Sequence, residues 1–115
     1  MKFLRCGSKG KEKPAVLDKN GKIRDISACV ADFDPKNLNF ETLAKLQKTD
    51  LESLPEIQKG TRIGSCINKP GKFVAIGLNY SDHATETGAK PPSEPIVFMK
   101  ATSCIVGPND DVIIP

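Results

Sequence analysis

Short apolar runs separated by turn-forming residues dominate the first third of the chain. Residues 2–6 and 14–17 are apolar-rich stretches of strand length, and residues 22–26 alternate polar and apolar side chains. The intervening segment Asp18-Lys19-Asn20-Gly21 favours a hairpin, because Asn-Gly accepts the positive backbone angles of a tight primed turn. The pattern predicts a small antiparallel meander with one covered face.

Helical periodicity follows the meander. Ser27 is placed to cap a short helical turn that runs to Val30. A longer helix is predicted over residues 39–46, with an acidic residue early and a lysine late, as the helix dipole favours. The apolar positions at helical spacing in this segment are Phe40, Leu43, Ala44 and Leu46. Residues 50–54 predict one further turn of helix before Pro55.

The second half of the chain has a different pattern of residues. Residues 57–70 carry two glycines and a proline with little periodicity, which predicts a linker. Compact apolar runs at 72–76 and 96–99 predict buried strands, and residues 111–115 begin a third. The predicted domains are residues 1–66 and 67–115. A strand without a following partner indicates that the polypeptide is a fragment of a longer protein.

Composition and charge exclude several classes of protein. The net charge is +3, but no basic run with interleaved aromatics occurs, so nucleic-acid binding has little support. The amino terminus lacks the apolar region of a secretory signal, and no apolar run has membrane-spanning length. The four cysteines stand far apart without a C-x-x-C motif, which favours reduced, mostly buried thiols in a cytoplasmic protein.

Candidate chemistry is concentrated in residues 77–86, which hold the only histidine and the only tyrosine. If Ser81 or Asp82 caps a helix here, His83 and Glu86 project from one face and can touch. A carboxylate beside an imidazole fixes its tautomer and prepares the pair for general base work. The spacing alone favours a simpler interpretation, a His-Glu pair on a solvated helix, because H-x-x-E is a weak motif.

A resemblance to a known family changes that balance. The runs GKFVAIGLNYSDHATETG and PPSEPIVFMKATSCIVGPNDDVIIP resemble the opening of the catalytic domain in the fumarylacetoacetate hydrolase family. The leading MKFLRCGSKGKEKPAVLDKNGKIRDI resembles the small N-terminal domain of the branch that includes ureidoglycolate lyase and 5-carboxymethyl-2-hydroxymuconate isomerase. The implied fold class is α+β, with a small antiparallel N-terminal domain followed by the incomplete start of the family's mainly β catalytic fold.

The resemblance also implies roles for individual residues. His83 and Glu86 match the family's catalytic dyad, which activates water or moves a proton. Lys100, in the F-x-K string, inherits a substrate-side role, with a solvated strand-end cation as the alternative. Asn79 and Tyr80 match the motif as substrate-binding positions, although the favoured interpretation is a turn amide and a half-buried aromatic that position the loop.

Family members bind Mg²⁺ or Mn²⁺ through a later E-x-E pair and a further aspartate, and act on small oxo-acids. No E-x-E occurs in this chain, so no metal ligand is predicted in it. Asp32 and Asp34 are interpreted as turn residues because Asp34 precedes a proline, and Asp110 and Asp111 as residues of the turn that begins at Gly107. The family generally forms homodimers, and no membrane or nucleic-acid partner is expected.

Two alternative functions are therefore considered. The first is the N-terminal part of a metal-dependent enzyme that hydrolyses or lyses C–C or C–N bonds, decarboxylates or isomerises a small oxo-acid, and that is inactive without its remaining sequence. The second is a non-catalytic interaction module or truncated gene product.

Overall fold

The computed structural model describes residues 1–114. The chain divides into two compact units, which are described separately: Met1–Pro70 with the segment from Ile105 onward, and Gly71–Cys104. Strands and helices are mixed and both sheets are antiparallel, which agrees with the predicted α+β class. The predicted domain boundary between residues 66 and 67 stays a prediction. The grouping of the segment after Ile105 with the first unit was not predicted.

The first unit is built on the predicted meander. Strands β1 (Lys2–Cys6), β2 (Lys13–Leu17) and β3 (Ile23–Asp25) pair antiparallel in that order. In the register, Leu4 lies opposite Ala15 and Ala15 opposite Asp25. The short apolar runs therefore predicted β1 and β2 correctly, and the alternation of polar and apolar residues predicted β3.

The turn between β2 and β3 differs from the predicted primed turn. The backbone N–H of Asp18 donates to Lys22 O at 2.9 Å, so the loop has three residues, and among them only Gly21 has a positive φ, of 76°. A three-residue loop that ends in a left-handed glycine is the next most common hairpin connection. The carboxylate of Asp18 stabilises it by accepting hydrogen bonds from the backbone N–H groups of Asn20 and Lys22.

Both edges of the three-stranded sheet are covered by the segment predicted as a linker and its neighbours. Cys6 of β1 bridges Ile63, and Arg24 of β3 bridges Glu56. Pairing of this kind protects edge strands from association with other chains. Residues 57–64 are therefore part of the first unit rather than a free linker.

Helix α1 (Phe40–Gln47) and a 3₁₀ turn (Leu51–Ser53) confirm two of the three helical predictions after the meander. The apolar stripe was only partly correct, because Leu46 is buried whereas Phe40 is 91% exposed and Ala44 is exposed. At Ser27 the chain forms a hydrogen-bonded turn instead of a helix. The buried core of the unit consists of Val16, Ile26, Val30, Phe33 and Leu46.

Of the aspartates that were interpreted as turn residues, Asp32 and Asp110 also form ion pairs. Asp34 does form the predicted turn, accepting from the N–H groups of Lys36 and Asn37. Asp32, by contrast, accepts two hydrogen bonds from Arg5, at 2.6 and 3.0 Å. Asp110 forms the predicted turn with Gly107 and also accepts a bidentate pair of hydrogen bonds from Arg62.

The second unit contains strand β4 (Phe73–Gly77), helix α2 (Ser81–Glu86) and strand β5 (Ile96–Lys100). The two strands pair antiparallel, with Phe73 opposite Lys100 and Gly77 opposite Ile96. Every residue of β5 is exposed, so the prediction of buried strands is wrong for this hairpin in the chain described.

Three other sequence expectations have a structural outcome. Residues 111–114 form no strand, and Pro115, which the predicted strand included, lies outside the described residues. All four cysteines are free thiols, but only Cys6 is buried, and Cys66 and Cys104 are exposed. Within residues 1–114, no helix combines the length and the apolar character needed to cross a membrane.

Candidate functional site

The connection between β4 and α2 has an unusual backbone conformation. Leu78, the first residue after β4, has a φ of 47°. Residues with a Cβ rarely adopt this left-handed region, because the Cβ approaches the following carbonyl oxygen. Such strain persists where the surrounding structure fixes it, and it is often found at functional sites. It lies immediately before Asn79 and Tyr80.

Helix α2 begins differently from the prediction. Its N-cap is Tyr80, which makes no side-chain cap hydrogen bond, so neither Ser81 nor Asp82 is the N-cap. The carboxylate of Asp82 accepts from the backbone N–H of His83 at 2.8 Å and satisfies one free donor of the first turn. Gly88, with a φ of 69°, ends the helix in the left-handed conformation that favours glycine.

The spacing of the dyad residues brings them together, as the sequence predicts. Nδ1 of His83 lies 3.9 Å from Oε2 of Glu86, one helical turn apart. This distance is too long for a hydrogen bond, although catalytic contacts often shorten when substrate binds. The side chains are 59% and 78% exposed, so water screens their attraction. The pair thus has the two chemical groups of an imidazole-carboxylate dyad, but these groups do not form a hydrogen bond.

An open cleft of about 390 Å³ lies within the second unit beside the strained turn. Asn79 and Ser81 contribute polar groups to its wall, and the proline-rich segment 91–95 forms the opposite wall. His83 and Glu86 are outside this lining. Because successive residues of a helix are about 100° apart, Ser81 and His83 point to nearly opposite sides of α2. The cleft and the dyad therefore flank the same short helix.

Of the remaining predicted positions, Lys100 lies away from the helix that carries the dyad. Nζ of Lys100 lies 5.8 Å from the ring centroid of Phe73 and 6.0 Å from that of Phe98, within the range of a cation–π contact. Lys100 pairs with the start of β4, whereas α2 follows the end of that strand. Tyr80 is 71% exposed. The substrate-binding roles of Lys100, Asn79 and Tyr80 stay predictions.

The residues described here do not fit the metal ion that the resemblance implies. Within residues 1–114, no group of three or more His, Cys, Asp or Glu side chains is close enough to hold an ion. Mg²⁺ is held in proteins mainly by carboxylate oxygens and water. The Mg²⁺ or Mn²⁺ site that the resemblance implies stays a prediction.

Two features of this region were not predicted. The left-handed conformation of Leu78 has no sequence signal, because leucine is not a residue that favours positive φ. The wall formed by Pro91, Pro92 and Pro95 did have one, since prolines restrict the backbone and mark an ordered loop.

Comparison with known proteins supports the family that the motif implied. Residues 72–115 match the family model described as Fumarylacetoacetate (FAA) hydrolase C-terminal. The matched segment includes the strained turn, both dyad residues and Lys100. It does not reach the meander, so the branch implied by the leading residues has no support from this match.

Curated relatives align with the whole chain. Proteins from Burkholderia ambifaria, Burkholderia multivorans and Burkholderia cenocepacia are each 50% identical to it over 115 residues, which is 100% of this chain and 41% of each relative. Their names call them hydrolases only provisionally and give no substrate. The chain thus spans less than half the length of these relatives, and it is similar to a segment of a hydrolase-family protein.

Proposed function

We propose that this chain supplies the dyad-bearing part of a fumarylacetoacetate hydrolase family enzyme that acts on a small oxo-acid. The observation that carries the proposal is the pairing of His83 with Glu86, at 3.9 Å, on a helix inside the segment that matches the family model. The strained turn at Leu78 and the adjoining cleft support it, because strain and concavity often accompany functional sites.

In this proposal the histidine is the general base. The carboxylate of Glu86 faces Nδ1, which favours the tautomer with the proton on that nitrogen and leaves Nε2 free to accept a proton from water or substrate. A Mg²⁺ or Mn²⁺ ion, held by residues outside this chain, would polarise the oxo group when bound. Lys100, Asn79 and Tyr80 are proposed to contact the substrate. The reaction is C–C or C–N bond cleavage, decarboxylation or isomerisation.

Finer assignments follow the resemblance. The proposed branch is the one that contains ureidoglycolate lyase and hydroxymuconate-type isomerases, and the N-terminal meander is the feature that favours it. The proposed location is the cytoplasm, which accords with four free thiols. The proposed assembly of the complete enzyme is a homodimer.

The test is a chimera in which this chain replaces the matching segment of the Burkholderia ambifaria protein. With Mg²⁺ or Mn²⁺ the chimera should turn over oxaloacetate or an acylpyruvate, and His83→Asn should slow it by about two to four powers of ten, as expected for loss of a general base. Glu86→Gln should slow it less. Glu41→Gln makes the same chemical change as Glu86→Gln at an exposed position of helix α1, and it should leave the rate unchanged.

Two results would contradict this assignment. If His83→Asn and Glu41→Gln gave equal rates in an active chimera, the dyad would have no catalytic role. Metal-dependent turnover by the 115-residue chain alone would show that the required ligands lie within it.

A second candidate function, a non-catalytic interaction module, is favoured by the β4–β5 hairpin. Its apolar residues are exposed on both faces; they include Val74, Ile76, Ile96, Val97, Phe98 and Met99. Exposed apolar surface of this kind commonly marks an interaction site. If the chimera is inactive while the chain self-associates, and Val97→Thr with Met99→Lys abolishes association in sedimentation, the module is the better assignment.

A further inference from the structure

One continuous set of ion pairs and hydrogen bonds runs through the first unit. The carboxylate of Asp32 accepts from Nε and Nη2 of Arg5 at 2.6 and 3.0 Å, and Nη2 of Arg5 lies 3.7 Å from Oε2 of Glu12. Glu12 accepts in turn from Nη1 of Arg62 at 2.7 Å, and Arg62 donates the bidentate pair of hydrogen bonds to Asp110. We call these five residues the anchor network: Arg5, Glu12, Asp32, Arg62 and Asp110.

The two ends of the anchor network coincide with the two places where the chain leaves and re-enters the first unit. Nδ2 of Asn68 donates to Asp32 at 2.8 Å, and its backbone N–H donates to Phe33 O at 2.7 Å, just before the chain passes to the second unit at Gly71. At the other end, the carboxylate of Asp110 accepts from the backbone N–H of Gly107 at 2.7 Å, just after the chain returns at Ile105.

The anchor network is placed to resist local opening. The side chains of Arg5 and Glu12 are 7% and 8% exposed, so their charges depend on one another rather than on water. Burial opposes ionisation of Glu12, but hydrogen bonding from Arg62 and the charges of both arginines outweigh it and hold the pKa of that carboxyl below its usual value. The departing connection is also strained, since Lys69 has a φ of 47° directly after Asn68.

We propose that the anchor network is a single device that fastens both connections of residues 71–104 to the first unit, so that releasing one connection loosens the other. Charged groups that share a partner depend on each other. Without Arg62, the longer contact to Arg5 is the ion pair left to Glu12, beside its hydrogen bond from the backbone N–H of Gly10. Arg5 in turn holds Asp32, which accepts the hydrogen bond from Asn68. The proposal does not depend on any catalytic role for the second unit.

Hydrogen exchange of the 115-residue chain, followed by NMR, tests this proposal. The amide of Asn68 reports the departing connection, the amide of Asp110 reports the returning one, and the amide of Val16 in the core serves as the internal standard. Arg62→Gln should speed exchange at Asp110 by about tenfold relative to Val16, as expected when charge-assisted hydrogen bonds are lost. It should also speed exchange at Asn68 several-fold, although Arg62 does not contact that residue.

The matched control is Arg24→Gln, which removes another nearly buried ion pair, with Asp18. It should leave both connections unchanged relative to Val16. Acceleration at Asp110 alone in Arg62→Gln, or equal acceleration at both connections in Arg24→Gln, would overturn the proposal.

If Arg62→Gln does not fold, Asn68→Ala provides a milder perturbation at the opposite end. It removes one hydrogen bond to Asp32 and should still speed exchange at Asp110. An unchanged Asp110 amide in Asn68→Ala would show that the two connections are fastened independently.

Discussion

Both carboxylate oxygens of Asp110 accept hydrogen bonds from the guanidinium of Arg62, at 2.7 Å from Nε and 2.6 Å from Nη2. Arg62 and the backbone N–H of Gly107 together lower the pKa of Asp110 from 3.8 to about 2. A carboxyl whose pKa is lower in the folded state stabilises the fold above its unfolded pKa, and this stabilisation is lost as the pH falls through the folded value.

The first prediction follows from that shift. Asp110→Asn should lower the melting temperature at pH 7, and the difference from the unsubstituted chain should shrink between about pH 4 and pH 2 as the native carboxyl gains its proton. Thermal unfolding followed by circular dichroism across this range measures it. Asp111→Asn, at the exposed neighbouring position, should change little at any pH. A melting difference for Asp110→Asn that persisted unchanged at pH 2 would contradict the electrostatic explanation.

The second prediction concerns the core of the first unit. Phe33 is 1% exposed and its ring packs edge to face on Phe3, with centroids 4.9 Å apart. Phe33→Ala should lower the free energy of unfolding by about 3–5 kcal/mol, because it leaves a cavity in a packed core. Phe40→Ala makes the same change at a 91% exposed position and should cost less than about 0.5 kcal/mol. Urea unfolding distinguishes the two, and equal losses would show that Phe40 packs against something.

The third prediction uses the positive φ of Lys69. Lys69→Gly should raise the free energy of unfolding by about 1 kcal/mol, since glycine avoids the clash of a left-handed backbone. Lys72→Gly, at a nearby exposed residue, should instead lower it by about 0.4–1 kcal/mol, because glycine gives the unfolded chain more freedom. Urea unfolding should therefore give opposite signs for the two lysines. The same sign for both would indicate that Lys69 is not strained.

The fourth prediction concerns the start of α1. Oδ1 of Asn39 accepts from the backbone N–H of Thr42 at 2.9 Å, and α1 carries Leu46 into the core. Asn39→Ala should cost about 1 kcal/mol in thermal or urea unfolding, whereas Asn39→Asp should retain most of the stability because aspartate caps equally well. If both variants lost the same stability, the amide group rather than the cap acceptor would be the important feature.

The sequence was informative where structure depends on near neighbours. The apolar runs of β1 and β2, the alternation in β3, the helical periodicity of α1 and the one-turn spacing of His83 and Glu86 all concern residues a few positions apart, and all were predicted. Phe40 was not, because an apolar stripe shows which face of a helix prefers burial but not whether a partner covers the whole of it.

Long-range relationships could not be predicted in the same way. Arg62 and Asp110 are 48 residues apart, and nothing local to either indicates the other. Lys100 was grouped with the dyad by motif spacing, but the β4–β5 register places it beside Phe73, at the opposite end of β4 from α2. The strain at Leu78 depends on how the loop is held at both ends, which the residue itself does not encode.

The open β4–β5 hairpin has a practical consequence for every measurement on this chain. One of its faces carries Val97 and Met99, 62% and 66% exposed, and dimers that bury such surface gain stability by mass action. Melting temperatures would then rise with protein concentration, so a dilution series is needed to separate the stability of a single polypeptide from that of a complex.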